Sequence, residues 1–376
     1  MITIDVKLKP NSYPIVIGPG ALRQIRQSLT RHAGKGRIFI FYDAQVFALY
    51  ARQIRARLKG LKEPCEEMVI PVGEKSKSAA VAARLHDFLL SHEISRSDFI
   101  LACGGGVTSD LAGYVAATIL RGVSWGVVST TLLGMTDAAI GGKTGINHRR
   151  GKNLIGCFWQ PSFVLCDCDL LNTLPDRQLT AGLGEVAKYC GLCGNKMLTV
   201  MEDLLAGGNL LDRRLLSSLI EMSAGYKARV VTRDEREAGP RLLLNLGHTF
   251  AHAVEHATGY GRLLHGETVI LGLVAAIELS IRIQPARAKL LMRYGRLINR
   301  MVRLVPRRRI DYERTLTAMR LDKKRTGKTP RLVLLDRPGR PLVADNVSYR
   351  MIEQSVQHML QVYLSEGGRD APNSGS

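Results

Sequence analysis

The sequence lacks an apolar run long enough to cross a membrane. The longest run, residues 269–281, is interrupted by Glu278 and falls short of the roughly 20 apolar residues that a membrane-spanning helix needs. The first residues include Asp5 and have no apolar stretch of the kind found in secretory signals. We therefore expect a cytoplasmic protein with no membrane partner.

Aromatic residues are scarce, at 6% of the chain, and no nucleic-acid-binding motif is present. The 53 Lys and Arg residues outnumber the 33 Asp and Glu residues, which gives a net charge of +20. Nucleic acid, an anionic membrane and anionic small molecules are all partners that suit such a charge. Because the basic residues are spread along the chain in short runs, we favour a solvated basic surface and expect no nucleic-acid partner.

The seven cysteines are odd in number and scattered, which favours free thiols in a reducing compartment. Cys166 and Cys168 form C-x-C, and Cys190 and Cys193 form C-x-x-C. A structural zinc site is the alternative interpretation of these four residues. The helix-like sequence around C-x-x-C does not resemble a zinc knuckle.

The first part of the chain alternates strand-like and helix-like segments. Strand-like runs at residues 37–43, 67–71 and 99–103 are separated by segments with helical periodicity, which predicts an α/β domain with a parallel sheet. From residue 178 to about 303 the sequence is nearly all helix-like. We therefore predict an α/β domain over 1–175, an all-α domain over 176–365 and a disordered tail over 366–376.

Four of the nine histidines lie within eighteen residues. His248, His252 and His256 are spaced to lie on one face of a helix, and His265 follows a glycine-rich break. Imidazole is a common metal ligand, so this stretch is the leading candidate for a metal site. A cap or a satisfied core position is the alternative for any single histidine.

The carboxylate that such a site needs is either Glu185 or Asp176. Two glycines just before Glu185 predict close backbone packing of its helix, and Lys188 lies one turn further on the same face. A glutamate with two histidines leaves metal positions open for substrate, as in catalytic zinc sites.

The glycines at 104, 105 and 106 follow a strand and precede a helix predicted over 111–120, an arrangement that suits a pyrophosphate. A tight structural turn is the alternative.

The GGKTG run at 141–145 is not a P-loop, because Asp137 occupies the position of the first glycine. Lys143 and Lys152, near Asn147 and Asn153, still suit an anionic ligand. Glu74 could accept hydrogen bonds from ribose hydroxyls, or simply begin a helix.

These motifs occur in the order found in one family. They are GEKSK at 73–77, GGGV from 104, DLAGY at 110–114, RG at 121, TTLL at 130–133, Asp137 with GGKTGIN at 141–147, GKNLIG at 151–156, TLP at 173–175, EVAKY at 185–189, NLGHT at 245–249, LHGE at 264–267 and DKK at 322–324. Over roughly residues 10–360 the chain closely resembles the 3-dehydroquinate synthase family of sugar-phosphate cyclases.

The resemblance implies a Rossmann-like N-terminal domain, an α-helical C-terminal domain, bound NAD, one divalent metal (usually Zn²⁺, with Co²⁺ possible) and a homodimer. It also implies the second step of the shikimate pathway, in which 3-deoxy-D-arabino-heptulosonate 7-phosphate (DAHP) becomes 3-dehydroquinate and phosphate. In that family NAD oxidises a hydroxyl, phosphate is eliminated, the ketone is reduced again, and ring opening precedes an intramolecular aldol closure.

Residue roles are implied at the matching positions only. The metal ligands are Glu185, His248 and His265. The cofactor residues are Asp43, Glu74, Lys77, Gly104, Gly105, Gly106, Val107, Asp110, Thr130, Thr131, Asp137, Lys143, Lys152 and Thr173. Substrate phosphate meets Lys143, Asn153, Asn245, Lys323 or Lys324, and Arg121 from the partner subunit. Substrate carboxylate meets Lys227 and Arg241, while Glu237, Lys188 and His252 complete the pocket.

The chain departs from the family at Ser109, where glycine is usual, and at Ala138, Ala139 and Ala251. The alternatives are another sugar-phosphate cyclase, namely an amino-dehydroquinate, 2-deoxy-scyllo-inosose or 2-epi-5-epi-valiolone synthase, or a metal-dependent polyol dehydrogenase. Lys227 and Arg241 favour the dehydroquinate reaction, because a two-cation carboxylate site has little purpose for a neutral sugar end.

Overall fold

The computed structural model describes residues 1–34, 36–61, 64–326 and 331–367, and at 321–326 it describes the backbone alone. Two compact units divide the chain. The first contains Met1–Pro175 and Leu211–Arg236, and the second contains Asp176–Leu210 and the chain from residue 237 onward. The predicted boundary near residue 175 remains a prediction. The first unit ends there at Pro175 but also includes the later segment Leu211–Arg236.

Strands and helices alternate through the first 175 residues. The strands are β1 Ile2–Val6, β2 Tyr13–Ile17, β3 Ile38–Asp43, β4 Cys65–Ile70, β5 Phe99–Gly104, β6 Ser124–Ser129, β7 Lys143–His148, β8 Gly151–Phe158 and β9 Val164–Cys166. The helices are α1 Ile25–His32, α2 Ala44–Leu58, α3 Ala79–Ser91 and α4 Gly106–Thr118.

Seven of these strands form one sheet in the order β1-β2-β9-β6-β5-β3-β4, and only the β1–β2 pair is antiparallel. The central strands β3 and β5 are buried almost throughout, as expected for strands covered on both faces. β7 and β8 form a separate antiparallel hairpin. The predicted parallel α/β sheet is confirmed.

Helices dominate the rest of the chain. They are α5 Asp176–Cys193, α6 Asn195–Ala206, α7 Arg213–Arg233, α8 His248–Thr258, α9 His265–Ile283, α10 Ala288–Val302, α11 Tyr312–Thr326 and α12 Tyr349–Glu366, with strands β10 Leu332–Arg337 and β11 Arg340–Ala344 between the last two helices. The predicted helical character is confirmed, and an antiparallel β10–β11 hairpin adds to it.

Helix α9 is the centre of the second unit. It contacts α5, α8, α10, α12 and β10, and nearly every residue from Gly266 to Ser280 is buried. Its apolar run is therefore explained by burial among helices. No helix of the described chain is long and apolar enough to cross a membrane. Helix α12 extends to Glu366, and the rest of the predicted tail, 368–376, lies outside the described residues.

Candidate active site

Glycines bring three helices of the second unit into backbone contact. A Cβ atom added to Gly184 in α5 would lie 2.1 Å from the carbonyl oxygen of Gly266 in α9, and one added to Gly266 would lie 1.7 Å from that of Ala181. On the other side of α9, a Cβ at Gly272 would lie 2.1 Å from the carbonyl oxygen of Gly247. No larger residue fits at these crossings, so the close packing predicted from the glycines before Glu185 is observed.

The three candidate metal ligands are the direct neighbours of these glycines. Glu185 follows Gly184, while His248 and His265 are the first residues of α8 and α9. Glu185 Oε1 lies 3.5 Å from His248 Nε2 and 3.2 Å from His265 Nε2. Two ligand atoms bound to one tetrahedral Zn²⁺ at about 2.1 Å lie about 3.4 Å apart. The separations therefore suit a single ion between the three side chains.

Each ligand candidate is also held by a partner on its far side. His248 Nδ1 lies 3.1 Å from the carbonyl oxygen of Leu246, and His265 Nδ1 lies 3.5 Å from Glu255 Oε1. The second oxygen of the Glu185 carboxylate lies 2.6 Å from Lys188 Nζ. Such outer partners fix the orientation of metal-binding imidazoles and carboxylates.

The charges of the cluster shift the ionisation of its members. Burial would raise the pKa of Glu185, but Lys188, His248 and His265 hold that pKa well below its usual value. Burial would lower the pKa of His265, but Glu185 and Glu255 raise it to about 10. Without a metal ion this imidazole is therefore protonated on both ring nitrogens at neutral pH. A cation bound at Nε2 would displace the proton on that nitrogen.

The remaining histidines of the stretch differ in their surroundings. The exposed ring of His252 lies 5.7 Å from that of His248 and 5.9 Å from that of His265, next to the cluster and open to solvent. His256 is exposed near the end of α8. The candidate cation clusters of the described chain contain neither His256 nor the alternative carboxylate Asp176.

Glu267, which shares the LHGE motif with His265, is fully buried and supports the start of α9. Its carboxylate accepts hydrogen bonds from the Leu264 N–H at 2.6 Å and from the Arg177 side chain at 2.7 and 3.0 Å. Arg177 also donates to the carbonyl oxygen of Arg262. The pair thus fixes the chain segment from which His265 projects.

The glycine-rich turn of the first unit lies at the point where the sheet reverses its strand order. From β3 the chain passes to β4 on one side and then to β5 on the other, so the crevice between β3 and β5 is a topological switch point. β3 ends at Asp43, which caps α2 by accepting a hydrogen bond from the Gln45 N–H. β5 ends at Gly104.

Helix α4 begins at Gly106, five residues before the predicted start at Leu111, so Val107 and Asp110 belong to its first turns. A Cβ at Gly104 would lie 2.5 Å from Thr108 Oγ1, and one at Gly105 would lie 2.7 Å from Thr131 Cγ2. The turn therefore needs glycine at both positions. The N–H groups at the start of α4 are a suitable site for a phosphate group.

Lys77 connects two other predicted site residues, Asp110 and Asn153. Its buried ammonium donates to the carboxylate of Asp110 and to the side-chain oxygen of Asn153, whose backbone has φ = 56°. Burial raises the pKa of Asp110, although Lys77 acts in the opposite direction. Glu74 accepts a hydrogen bond from the Asn147 amide at 2.7 Å. This hydrogen bond connects the β7–β8 hairpin to the segment before α3.

The other predicted residues of this unit lie on several of its strands, helices and turns. Thr130 is buried just after β6, and Thr131 Oγ1 accepts from the Gly134 N–H at 3.1 Å. Thr173 Oγ1 lies 2.7 Å from the Tyr50 hydroxyl, while Lys143 and Lys152 lie on β7 and β8. Lys227 on α7 pairs with the Asp137 side chain and donates to its carbonyl oxygen at 2.7 Å.

Three of the substrate residues predicted for the second unit, Glu237, Arg241 and Asn245, lie in the chain segment that precedes α8. Arg241 is only 1% exposed, and the Asn245 amide donates to Glu237 at 3.3 Å. The side chains of Lys323 and Lys324 lie outside the described residues.

Arg121, in the first unit, has φ = 64° and follows Leu120 at φ = 49°, so two consecutive non-glycine residues are left-handed.

Two family models cover most of the chain. The 3-dehydroquinate synthase N-terminal model matches residues 67–181, and the 3-dehydroquinate synthase C-terminal model matches 182–325. The 3-dehydroquinate synthase of Nitrosococcus oceani is 41% identical over 95% of this chain and 99% of its own. The chain belongs to the 3-dehydroquinate synthase family. The enzyme activity predicted from the motifs, that of a 3-dehydroquinate synthase and thus a lyase, is therefore confirmed, and a small molecule is its substrate.

Solved structures show which fold this family shares. A 2-epi-5-epi-valiolone synthase from Streptomyces hygroscopicus, with NAD⁺ and Zn²⁺ bound, has a TM-score of 0.82 and 27% identity over 94% of this chain and 98% of its own. A 2-deoxy-scyllo-inosose synthase complexed with carbaglucose-6-phosphate, NAD⁺ and Co²⁺ has a TM-score of 0.83 at 23% identity over 95% and 99%. At that identity the second likeness concerns the fold alone.

One buried residue of the cluster, Glu255, belongs to none of the sequence motifs. Glu255 is 3% exposed and lies against His265, and a second group of possible ligands consists of Glu255, His252 and His265. Its position three residues after His252 in a helix was the available signal, because that spacing places both on one face.

Proposed function

We propose that this 3-dehydroquinate synthase family member converts DAHP to 3-dehydroquinate and phosphate, with one divalent cation held by Glu185, His248 and His265 and with NAD at the β3–β5 switch point. The observation that carries the site assignment is the convergence of two Nε2 atoms on one oxygen of Glu185 at tetrahedral spacing. The buried residues around it leave the side of His252 open for substrate.

The metal would be Zn²⁺, or Co²⁺ or another divalent ion, because one carboxylate and two imidazoles suit such ions. When bound, it polarises hydroxyl and carbonyl oxygens of the substrate. Lys188 holds the second oxygen of Glu185, so the carboxylate offers one oxygen to the cation. His252 faces the same space and is placed to exchange a proton with substrate.

NAD would suit the first unit because α4 begins beside the switch point and offers N–H groups to its pyrophosphate there. NAD supplies a reversible hydride acceptor, so the same cofactor can oxidise and later reduce the substrate. Asp43 and Glu74 would bind ribose hydroxyls, and Thr130, Thr131, Lys152 and Thr173 would be further cofactor residues. Asp110 and Asp137 hold the lysines Lys77 and Lys227 in place.

Other lysine and arginine side chains would bind the charged groups of the substrate. The phosphate would bind Lys143, Asn153, Asn245 and Lys323 or Lys324, and the carboxylate would bind Lys227 and Arg241. A guanidinium as deeply buried as Arg241 suits a site for an anion. Glu237 holds Asn245, which keeps that amide oriented.

We propose a homodimer formed through the β7–β8 hairpin. Leu154, Ile155 and Phe158 on β8 are 54%, 39% and 38% exposed, and apolar side chains on an open hairpin suit contact with a second copy. The strained turn that carries Arg121 packs beside this hairpin, because a Cβ at Gly122 would lie 2.6 Å from the Trp159 ring. Arg121 would then reach the partner's phosphate site. Phe158→Glu should give a monomer in analytical ultracentrifugation, and an unchanged dimer would contradict this interface.

The activity is tested by incubating the purified protein with DAHP, Zn²⁺ and a catalytic amount of NAD. We expect release of phosphate and formation of 3-dehydroquinate without accumulation of NADH, because the cofactor is oxidised again within each turnover. A polyol dehydrogenase would accumulate NADH, and a cyclase for substrates without a carboxylate would leave DAHP unchanged. The amino-dehydroquinate alternative is tested with the amino analogue of DAHP, which should react more slowly. The cytoplasmic location remains a prediction.

A further inference from the structure

We infer that Glu255 is a positioning residue of the metal centre. It orients His265, and its negative charge compensates for the positive charge of Lys188, which neutralises the ligand Glu185. The inference rests on the proposed ligands Glu185, His248 and His265. Glu255 faces Nδ1 of His265, the ring nitrogen on the side away from Glu185, and acts through that imidazole.

The two imidazoles have different outer partners. His248 Nδ1 faces the neutral backbone carbonyl of Leu246 at 3.1 Å, whereas His265 Nδ1 faces the carboxylate of Glu255 at 3.5 Å. An acceptor beside Nδ1 keeps a proton on that nitrogen, which leaves the Nε2 lone pair for a cation. Because Glu255 is 3% exposed, solvent cannot take over this role.

The charges near the cation give Glu255 a second function. The only carboxylate among the proposed ligands is Glu185, and Lys188 Nζ lies 2.6 Å from its second oxygen, with both side chains 1% exposed. A glutamate and a lysine together contribute no net charge, and two neutral imidazoles add none. With Glu255 the buried group carries one net negative charge, which favours binding of a divalent cation in a poorly solvated site.

The test measures metal affinity in the full-length protein by competition with a chromogenic chelator for Zn²⁺. Replacing an outer partner of a metal-binding histidine usually weakens binding by about 10–100-fold. We expect Glu255→Gln to weaken Zn²⁺ binding within that range and Glu255→Asp to recover part of it. Glu278→Gln is the matched control, because Glu278 on α9 also loses one charge, from an ion pair with Arg282. It should bind Zn²⁺ like the wild type.

A further variant separates charge from general damage to the fold. Lys188→Met should restore at least part of the Zn²⁺ affinity in the Glu255→Gln background, since it removes the opposing charge. A merely structural loss would not respond to that change. The Co²⁺ absorption spectrum provides an independent view, and a shift of its visible bands in Glu255→Gln would report a reoriented ligand.

The outcomes distinguish this inference from the site assignment. If the wild type binds no stoichiometric metal, or if Glu185→Ala keeps it, the proposed ligands are wrong. If the wild type binds metal and Glu185→Ala loses it, but Glu255→Gln binds Zn²⁺ as tightly as Glu278→Gln, the role of Glu255 alone is refuted.

Discussion

Gly184→Ala is expected to destabilise the protein although it places a better helix former in the middle of α5. Gly→Ala in a helix interior normally stabilises by about 1 kcal/mol. Here the new Cβ would lie 2.1 Å from the carbonyl oxygen of Gly266, about 1.3 Å short of ordinary contact at 3.4 Å. That oxygen belongs to the backbone of α9 and cannot rotate away, so the two helices must separate.

The magnitude follows from two opposing effects. Overpacking of a well-packed interior costs about 1–3 kcal/mol, occasionally more, and a backbone obstacle places this site at the upper end. After the helix-propensity gain, a net loss of roughly 2 kcal/mol remains. The same separation would move Glu185 away from His265, whose facing atoms are 3.2 Å apart. Metal affinity should therefore fall together with stability.

Gly295→Ala is the matched control. Gly295 also lies within a helix of the same unit, but the nearest atom to its added Cβ is Ile277 Cγ2 at 3.9 Å. This variant should be stabilised by about 1 kcal/mol and keep its metal affinity. Urea denaturation of the metal-free proteins measures stability, and chelator competition measures affinity. A Gly184→Ala protein as stable as Gly295→Ala, with wild-type affinity for Zn²⁺, would refute the reasoning.

Three further changes test the two units separately. Chelation of the metal should lower the thermal unfolding midpoint of the wild type but not that of Glu185→Ala, as measured by calorimetry; an equal decrease in both proteins would argue against this ligand. Lys77→Met should weaken NAD binding at least tenfold in a fluorescence titration, because it removes the partner of the half-buried Asp110; an unchanged dissociation constant would exclude Lys77 from the cofactor site. Inactive Arg121→Ala and Lys143→Ala subunits should recover activity when mixed, since one shared site per heterodimer keeps both residues, and well-mixed heterodimers without activity would contradict a shared site.

Local pattern was sufficient for much of the first unit. Buried β-branched and aromatic runs separated by helical periods predicted the parallel strands, because both faces of such a sheet are covered. The strand order was not predictable in the same way. Strand β3 has the same apolar character as β5, and only their pairing reveals that the glycine turn at Gly104 lies beside a reversal in strand order.

Helical periodicity also did not show which elements α7 packs against. Its buried residues recur with the same spacing as those of the helices around it, yet α7 packs on β1 and β2 and belongs to the first unit. Periodicity identifies the face of a helix that is buried and carries no information about the partner. The change from alternating to helical sequence therefore does not show that 211–236 group with the first unit.

The histidine stretch shows which sequence signal marks a metal site built from several helices. Spacing alone placed His248, His252 and His256 on one face, but only His248 has a glycine beside it. Helix axes normally lie about 8–10 Å apart, and a closer approach shortens the distance between ligands that project from separate helices. Glycine permits that approach: a Cβ at Gly184 or Gly266 would collide with a backbone carbonyl, and one at Gly247 would lie 3.1 Å from the backbone nitrogen of Leu273. A glycine next to a candidate ligand is therefore the more informative pattern, because it reports the contact between helices on which the site depends.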